Sequence, residues 1–352
     1  MGIAATAVVV ASLATLGVVT ACAKTSKTAA VAPAPSTTVK KRVVVSRPLC
    51  PLTGLPAPFG VVPARPALMV KVGNEPGHAR PQSGLNEADV VFDTPAESFI
   101  MRYIAVYQCG NAAAVGPTRS VRWVDYQIAP QFGNPILAFA GGIGQNVQAV
   151  AATPGVLGAN LLTAQSGAAY RTTDRRPPDN LYTSTSALWA LPGALPRPPR
   201  PIFRYTPRLP VGALPLASAE LNFSQGTDVV WQWQPATRAW LHTYSGAADI
   251  DTLTQQPVTA TNVVIEVAPF TTGPYAECTG CSGDIQSSTT GSGAGYVLRD
   301  GSYLPIRWSR PTVTAPTRLT TMRGQPVGLA PGRTWVEIIT GTQAFGGIHL
   351  TP

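Results

Sequence analysis

The sequence predicts an α+β protein: an N-terminal α/β layer domain followed by a smaller, antiparallel β-rich domain. Three observations carry this expectation. Of the 352 residues 45% are hydrophobic and 12% charged, so a large core can form with few ionic groups to place. The 35 prolines and 33 glycines interrupt the chain too often for a helical bundle. The hydrophobic period also changes along the chain: it is mixed in the first half and strand-like through the second.

Taken in order, Ala67–Val72 (ALMVKV), Val90–Asp93 and Ile100–Gln108 (IMRYIAVYQ) read as strands. Ser120–Ala129 has helical character, and Pro135–Ala140 (PILAFA) is short and apolar like a buried strand. Gly141-Gly142-Ile143-Gly144 then turns the chain into a helix over Gln145–Ala152. This alternation places an α/β layer domain over residues 49–191. Residues 192–210 carry Pro192, Pro196, Pro198, Pro199, Pro201, Pro207 and Pro210. Neither a helix nor a central strand runs through such a stretch, so it reads as an interdomain connection. From 211 to 352, Asp228–Trp233 and Arg238–Tyr244 form a hairpin about Gln234-Pro-Ala-Thr. Val263–Val267, Gly295–Arg299, Ser302–Trp308 and Thr334–Thr340 are further strands with glycines between them.

Before the folded part, Ile3 to Thr20 is an uncharged apolar run ending in Val19-Thr20-Ala21-Cys22. Small residues before a cysteine are the pattern of a lipoprotein signal peptide. The Cys22 thiol takes the acyl anchor, and small neighbours admit the signal peptidase. Residues 1–21 are therefore expected to be the signal peptide. No Lys or Arg precedes Lys24, although a signal peptide opens with one, so the expected natural start lies upstream. The run is barely long enough for the alternative, an uncleaved transmembrane helix. Residues 22–48 are rich in Lys, Thr, Ala, Pro and Ser and bury too little to fold, so they read as a flexible stalk. The expected location is the outer face of a bacterial cell membrane.

Beyond Cys22, four cysteines remain: Cys50, Cys109, Cys278 and Cys281. An even number in an oxidising compartment favours disulfides. Cys278-Thr-Gly-Cys281 sits in a Gly/Ser/Thr-rich loop, where a short-range disulfide is favoured over a redox pair or half a zinc site. Cys50 would then pair with Cys109 by elimination. No metal is expected, because His78, His242 and His349 are scattered without ligand spacing. No cofactor signature occurs. The formal charge of +9 reflects scarce acids and biases the protein toward anionic partners. Nucleic acid is excluded by the export signal and by the lack of basic runs interleaved with aromatics.

Several runs resemble the YerB-like bacterial lipoproteins. They are Cys50-Pro-Leu-Thr-Gly-Leu55, Arg65-Pro66, Ala79-Arg-Pro-Gln-Ser-Gly-Leu-Asn-Glu-Ala-Asp-Val-Val91, Val115-Gly-Pro-Thr-Arg-Ser-Val-Arg122, Ala140-Gly-Gly142 and Arg175-Arg-Pro-Pro-Asp-Asn-Leu-Tyr-Thr-Ser184. Trp308-Ser-Arg310 and Pro331-Gly-Arg-Thr-Trp-Val-Glu337 echo the family's second module. The resemblance spans about Leu49 to Ile339. It implies a two-module extracytoplasmic lipoprotein, in a family without an established biochemical role. The chain departs from the pattern at Thr94–Phe99, where the family carries a glycine-containing run.

For binding, the candidates are Arg80, Arg119, Arg122, Arg175 and Arg176, all in turn-rich segments. Arginine is suited to bidentate recognition of phosphate or carboxylate. Gly141, Gly142 and Gly144, between a strand and a helix, would leave backbone N–H groups for an anion. This is not a dinucleotide fingerprint, because Val147 stands where the third glycine belongs. The plainer alternative is that these arginines pair with Glu87, Asp89, Asp93, Asp125 and Asp174. Asp89, Asp93 and Glu97 follow a strand and are candidate acid–base or metal groups, although caps and ion pairs are the commoner use. No Gly-x-Ser-x-Gly elbow is present, and Ser83 and Ser120 read as turn and cap residues. Trp231, Trp233 and Trp240 on the hairpin read as cross-strand core packing in preference to a glycan platform.

The leading functional expectation is a non-enzymatic, membrane-tethered envelope protein that binds an anionic wall or lipid-linked ligand. The competing expectation is an envelope enzyme acting on a phosphorylated glycan or polyprenyl substrate, with Asp89 or Asp93 at work and the arginines stabilising charge. That reading resembles, in broad arrangement, the LytR-CpsA-Psr wall-polymer transferases. A structural partner of another envelope protein is the third. The sequence sets no oligomeric state.

Overall fold

Strands β1 (Leu68–Val72), β2 (Val90–Pro95) and β3 (Met101–Tyr107) are buried at every position, as expected of apolar runs without alternation. Such strands need cover on both faces. In the computed structural model, which describes residues 47–223, 227–277, 279–280, 283–340 and 347–352, that cover comes from two different sources. The expected signal peptide, Cys22, the expected stalk as far as residue 46, Cys278 and Cys281 lie outside the described residues.

The remaining elements of the first half are α1 (Trp123–Ile128), β4 (Ile136–Phe139), α2 (Gly144–Ala152), β5 (Leu157–Asn160) and α3 (Thr185–Trp189). The second half supplies β6 (Ser218–Phe223), β7 (Thr227–Gln234), β8 (Ala239–Tyr244), β9 (Asn262–Ala268), β10 (Gly291–Arg299), β11 (Ser302–Arg310), β12 (Arg318–Thr321), β13 (Thr334–Thr340) and β14 (Gly347–Thr351). The hairpin and the strand runs read from the sequence are all present. The helix expected over Ser120–Ala129 is shorter and continues as a 3-10 turn, Ala129–Phe132.

One sheet of eleven strands runs through both halves, in the order β12-β11-β10-β9-β13-β2-β3-β1-β4-β5, with Leu214–Pro215 paired to β11. The proline-dense connection separates the halves in sequence, but their strands share this sheet. Strand β13 lies between β9 and β2 and runs parallel to both, placing Val90 beside Thr334 and Asp93 beside Glu337. The expectation of a purely antiparallel second half is corrected at these strands. Antiparallel order was inferred from short glycine-separated runs, which do not reveal a crossover between distant strands.

Alternate residues of the sheet feed two cores. Val70, Val91, Tyr103, Ile265 and Trp335 face the second sheet, whose Leu221, Val229, Trp231 and Trp240 pack against them. That second sheet is built on β8-β7-β6-β14. On the opposite face, Met69, Phe92, Ile104 and Val336 pack against Val124 and Ile128 of α1, Val150 of α2, and Ile202 and Phe203 of the proline-dense connection. The protein is thus mixed and strand-rich. The α-helices among the described residues have six, nine and five residues, so a second sheet covers one face where helical layers were expected. Trp233 and Trp240 are cross-strand partners with ring centroids 5.2 Å apart, and Trp240 is fully buried, in keeping with core packing. Cys50 and Cys109 are disulfide-bonded, Cα to Cα 6.0 Å. No helix among the described residues is long and apolar enough to cross a membrane.

Candidate functional site

The run Arg80 to Asp89 links the two halves. Arg80 Nη2 lies 2.8 Å from Asp249 Oδ1, and its Nη1 donates to Tyr103 at 3.2 Å and to Asn74. Gln82 O accepts from Thr252 N at 2.8 Å. Asp251 receives the backbone N–H groups of Gly84 at 3.1 Å and Asn86 at 2.7 Å. Asp89 accepts from the N–H groups of Gln108, Cys109 and Gly110, and so holds the loop that carries the disulfide. Burial pushes its carboxyl up to about 6 against those three donors. Buried backbone groups need partners, and this strip supplies them across the joint.

His242 of β8 completes the same network. Its Nδ1 is 3.2 Å from Asp249 Oδ2, and its ring stacks on Trp335 with centroids 5.0 Å apart. Burial pushes the imidazole down, so it favours the neutral form. Beside it, Asp93 and Glu337 face each other across β2 and β13, both wholly buried. Trp231 Nε1 donates to Glu337 Oε1 at 2.8 Å. Among the described residues, no N–H or O–H from other groups reaches either Asp93 oxygen or Glu337 Oε2. The donor they can find is a proton held by the pair itself. Burial pushes Glu337 up to about 7, and burial together with Glu337 raises Asp93 well above its ordinary value.

On the other face, Arg119 and Arg122 belong to a buried ionic cluster. Arg119 reaches Glu75 at 2.8 Å and Asp179 at 2.5 Å. Arg122 pairs with Glu97 at 2.5 Å and Glu277 at 2.8 Å. Arg102 adds a contact to Glu75 at 2.8 Å, and Lys71 binds Asp125 at 2.7 Å. The partners differ from those expected at sequence level, because Glu75, Glu97, Asp179, Asp249 and Glu277 arrive from loops distant in sequence. The Gly141–Gly144 turn is held in place partly by the chain itself. Gly141 N donates to Asn160 Oδ1 at 3.1 Å, and Gly142 bridges Val121. The carboxylate near these helix starts is the chain's own Asp284, which accepts from Trp123 N at 2.9 Å and from the Asn146 side chain at 2.6 Å.

Arg80, Arg175 and Arg176 are brought together. They line an open cavity of about 550 Å³ with His78, Asp174 and Asp179. Arg175 Nη2 donates to Pro81 O at 2.5 Å, which fixes its side chain without neutralising it. Arg176 is exposed. Neither forms a salt bridge among the described residues, whereas Asp179 is taken by Arg119 and Arg80 by Asp249. The glycine turn, Asp89 and Asp93 do not line this cavity. Among the described residues no group of three or more His, Cys, Asp or Glu is arranged to hold a metal ion.

Glu337 was missed at sequence level, as were the roles of Lys71 and Arg102. The signal for all three was present: each is a charge inside a run that is otherwise apolar on both faces.

A sheet closed by strands from both halves and joined by a polar strip defines a two-module, strand-rich chain. The chain belongs to the DUF3048 family, matching its N-terminal domain over residues 52–195 and its C-terminal domain over 219–336, both described as of unknown function. A relative is YerB of Bacillus subtilis (strain 168), whose name assigns it provisionally to the lipoproteins. It is 25% identical over 296 residues, covering 82% of this chain and 85% of YerB. The crystal structure of YerB protein from Bacillus subtilis has the same fold, with a TM-score of 0.73 at 22% identity, covering 86% of this chain and 99% of that one.

Proposed function

We propose that the protein is a lipid-anchored envelope lipoprotein whose arginine-lined cavity holds an anionic group of a wall polymer or lipid-linked ligand. The observation that carries this reading is the convergence of Arg80, Arg175 and Arg176 on one open cavity, two of them outside any salt bridge among the described residues. Charge-assisted hydrogen bonds from guanidinium to phosphate are the strong kind, each contributing about 1.5–3 kcal/mol. The name of the relative supports the anchor at Cys22 and the outer membrane face. A cavity open to solvent suits a ligand that projects from a polymer or a membrane.

The test is calorimetric titration with inorganic phosphate and with a short-chain polyprenyl phosphate in detergent. Binding of at least one probe is expected, and Arg175→Gln with Arg176→Gln should weaken it by about tenfold or more. Absence of binding to both probes, or equal binding by the double variant, refutes the reading. Turnover of the polyprenyl phosphate would favour the enzymatic alternative.

A further inference from the structure

We propose that a second face, formed by the proline-dense connection and the β12 edge, docks the folded part onto an anionic phospholipid surface. The charge distribution is the first support. All 17 acids of the chain lie among the described residues, yet none falls between Asp179 and Glu220 or between Asp300 and Glu337. Those two stretches hold four and five arginines respectively. Arg310 and Arg333 are committed inside the fold. Arg200, Arg204, Arg318 and Arg323 are exposed, with no ion pair among the described residues.

The two stretches are one surface. Thr206 N donates to Leu329 O and Leu329 N to Arg204 O, both at 2.8 Å. Arg200, Arg204 and Arg318 rim a groove of about 670 Å³ that includes Ile202, Phe203 and Leu319. Adjoining it through Pro326 is a hollow of about 600 Å³ with Val211 and Met322 on its rim, 97% and 62% exposed. Guanidinium groups around projecting apolar side chains fit a headgroup layer: arginine meets phosphate while Val211 and Met322 enter the acyl boundary.

The tether is the second support, and here the inference rests on the anchored reading above. The first turn of the folded part packs on this face, with Tyr205 donating to Leu52 O and its ring leaving no room for a Cβ on Gly54. A chain arriving from Cys22 therefore joins the fold beside Arg204. Residues 1–74 contain no Asp or Glu, so the approach carries only positive charge.

The experiment uses the chain from residue 22 onward carrying Cys22→Ser, so that no acyl group contributes. It is sedimented with vesicles of phosphatidylcholine alone, or of phosphatidylcholine with phosphatidylglycerol. Binding to the anionic vesicles only is expected, weakening as salt is raised. Arg200→Gln, Arg204→Gln and Arg318→Gln together should weaken it on the order of a hundredfold. Circular dichroism checks that this variant is folded, and its phosphate titration should match the parent's. Arg176→Gln in the cavity should leave vesicle binding unchanged. Binding to neither vesicle, equal binding to both, or undiminished binding by the folded triple variant overturns the proposal. Failure of the phosphate titration alone removes the cavity reading and leaves this one standing.

Discussion

Replacing Glu337 by glutamine isolates the buried carboxyl pair. Glutamine keeps an oxygen to accept from Trp231 and presents an N–H to Asp93, so packing and hydrogen bonding survive while one titrating group is removed. In the folded protein burial pushes Glu337 up to about 7, whereas in the unfolded chain it titrates near 4.5. A raised carboxyl favours the folded state fully below the unfolded value. As pH climbs, the unfolded chain releases its proton first, and stability is lost until the folded group ionises. The rise from 4.5 to about 7 corresponds to about 3 kcal/mol at about 1.4 kcal/mol per pH unit. Asp93, raised by burial and by Glu337, adds to the loss in the same direction. Urea denaturation of parent and variant between about pH 5 and about pH 8 measures this. The parent should lose stability across that range, and Glu337→Gln should lose about 3 kcal/mol less, or about 5 °C in Tm for a chain of this size. Parallel pH profiles for the two proteins would refute the shared-proton account.

Two further outcomes follow from buried partners. Lys71→Met should destabilise by about 3–5 kcal/mol, measured by urea denaturation, because Asp125 would be left as an uncompensated buried charge. Cys50→Ser with Cys109→Ser should lose about 4 kcal/mol, since the bond closes a loop with a sequence separation of 59 residues. The reduced parent should unfold at the same urea concentration as that variant.

The strands were legible because their apolar runs are local. Thr334–Thr340 and the Asp228–Tyr244 hairpin follow from period and turn residues alone. Their neighbours were not legible: nothing near Val90 announces Thr334 as its partner. The arginines of the candidate site were legible by type, and three of the five meet in one cavity. Arg119 and Arg122 do not, because their destinations depend on acids that fold in from elsewhere. The partners that hold Gly141 in the glycine turn, Asn160 and Val121, were not legible, because tertiary structure supplies them. Glu337 is a charge in a central strand, and its unusual proton affinity comes from burial that only the assembled sheet supplies.

The position of β13 between β9 and β2 also bears on how the chain reaches its native state. The two neighbours of β13 are separated by well over a hundred residues, and β13 itself comes near the end of the chain. Until it arrives, β2 presents an open hydrogen-bonding edge on an apolar strand, the kind of surface that recruits other strands. Pairings of such long sequence separation also form slowly. Made first, the N-terminal half must wait with that edge exposed. A truncation before Thr334 would make the wait permanent, converting a folding intermediate into an aggregation nucleus.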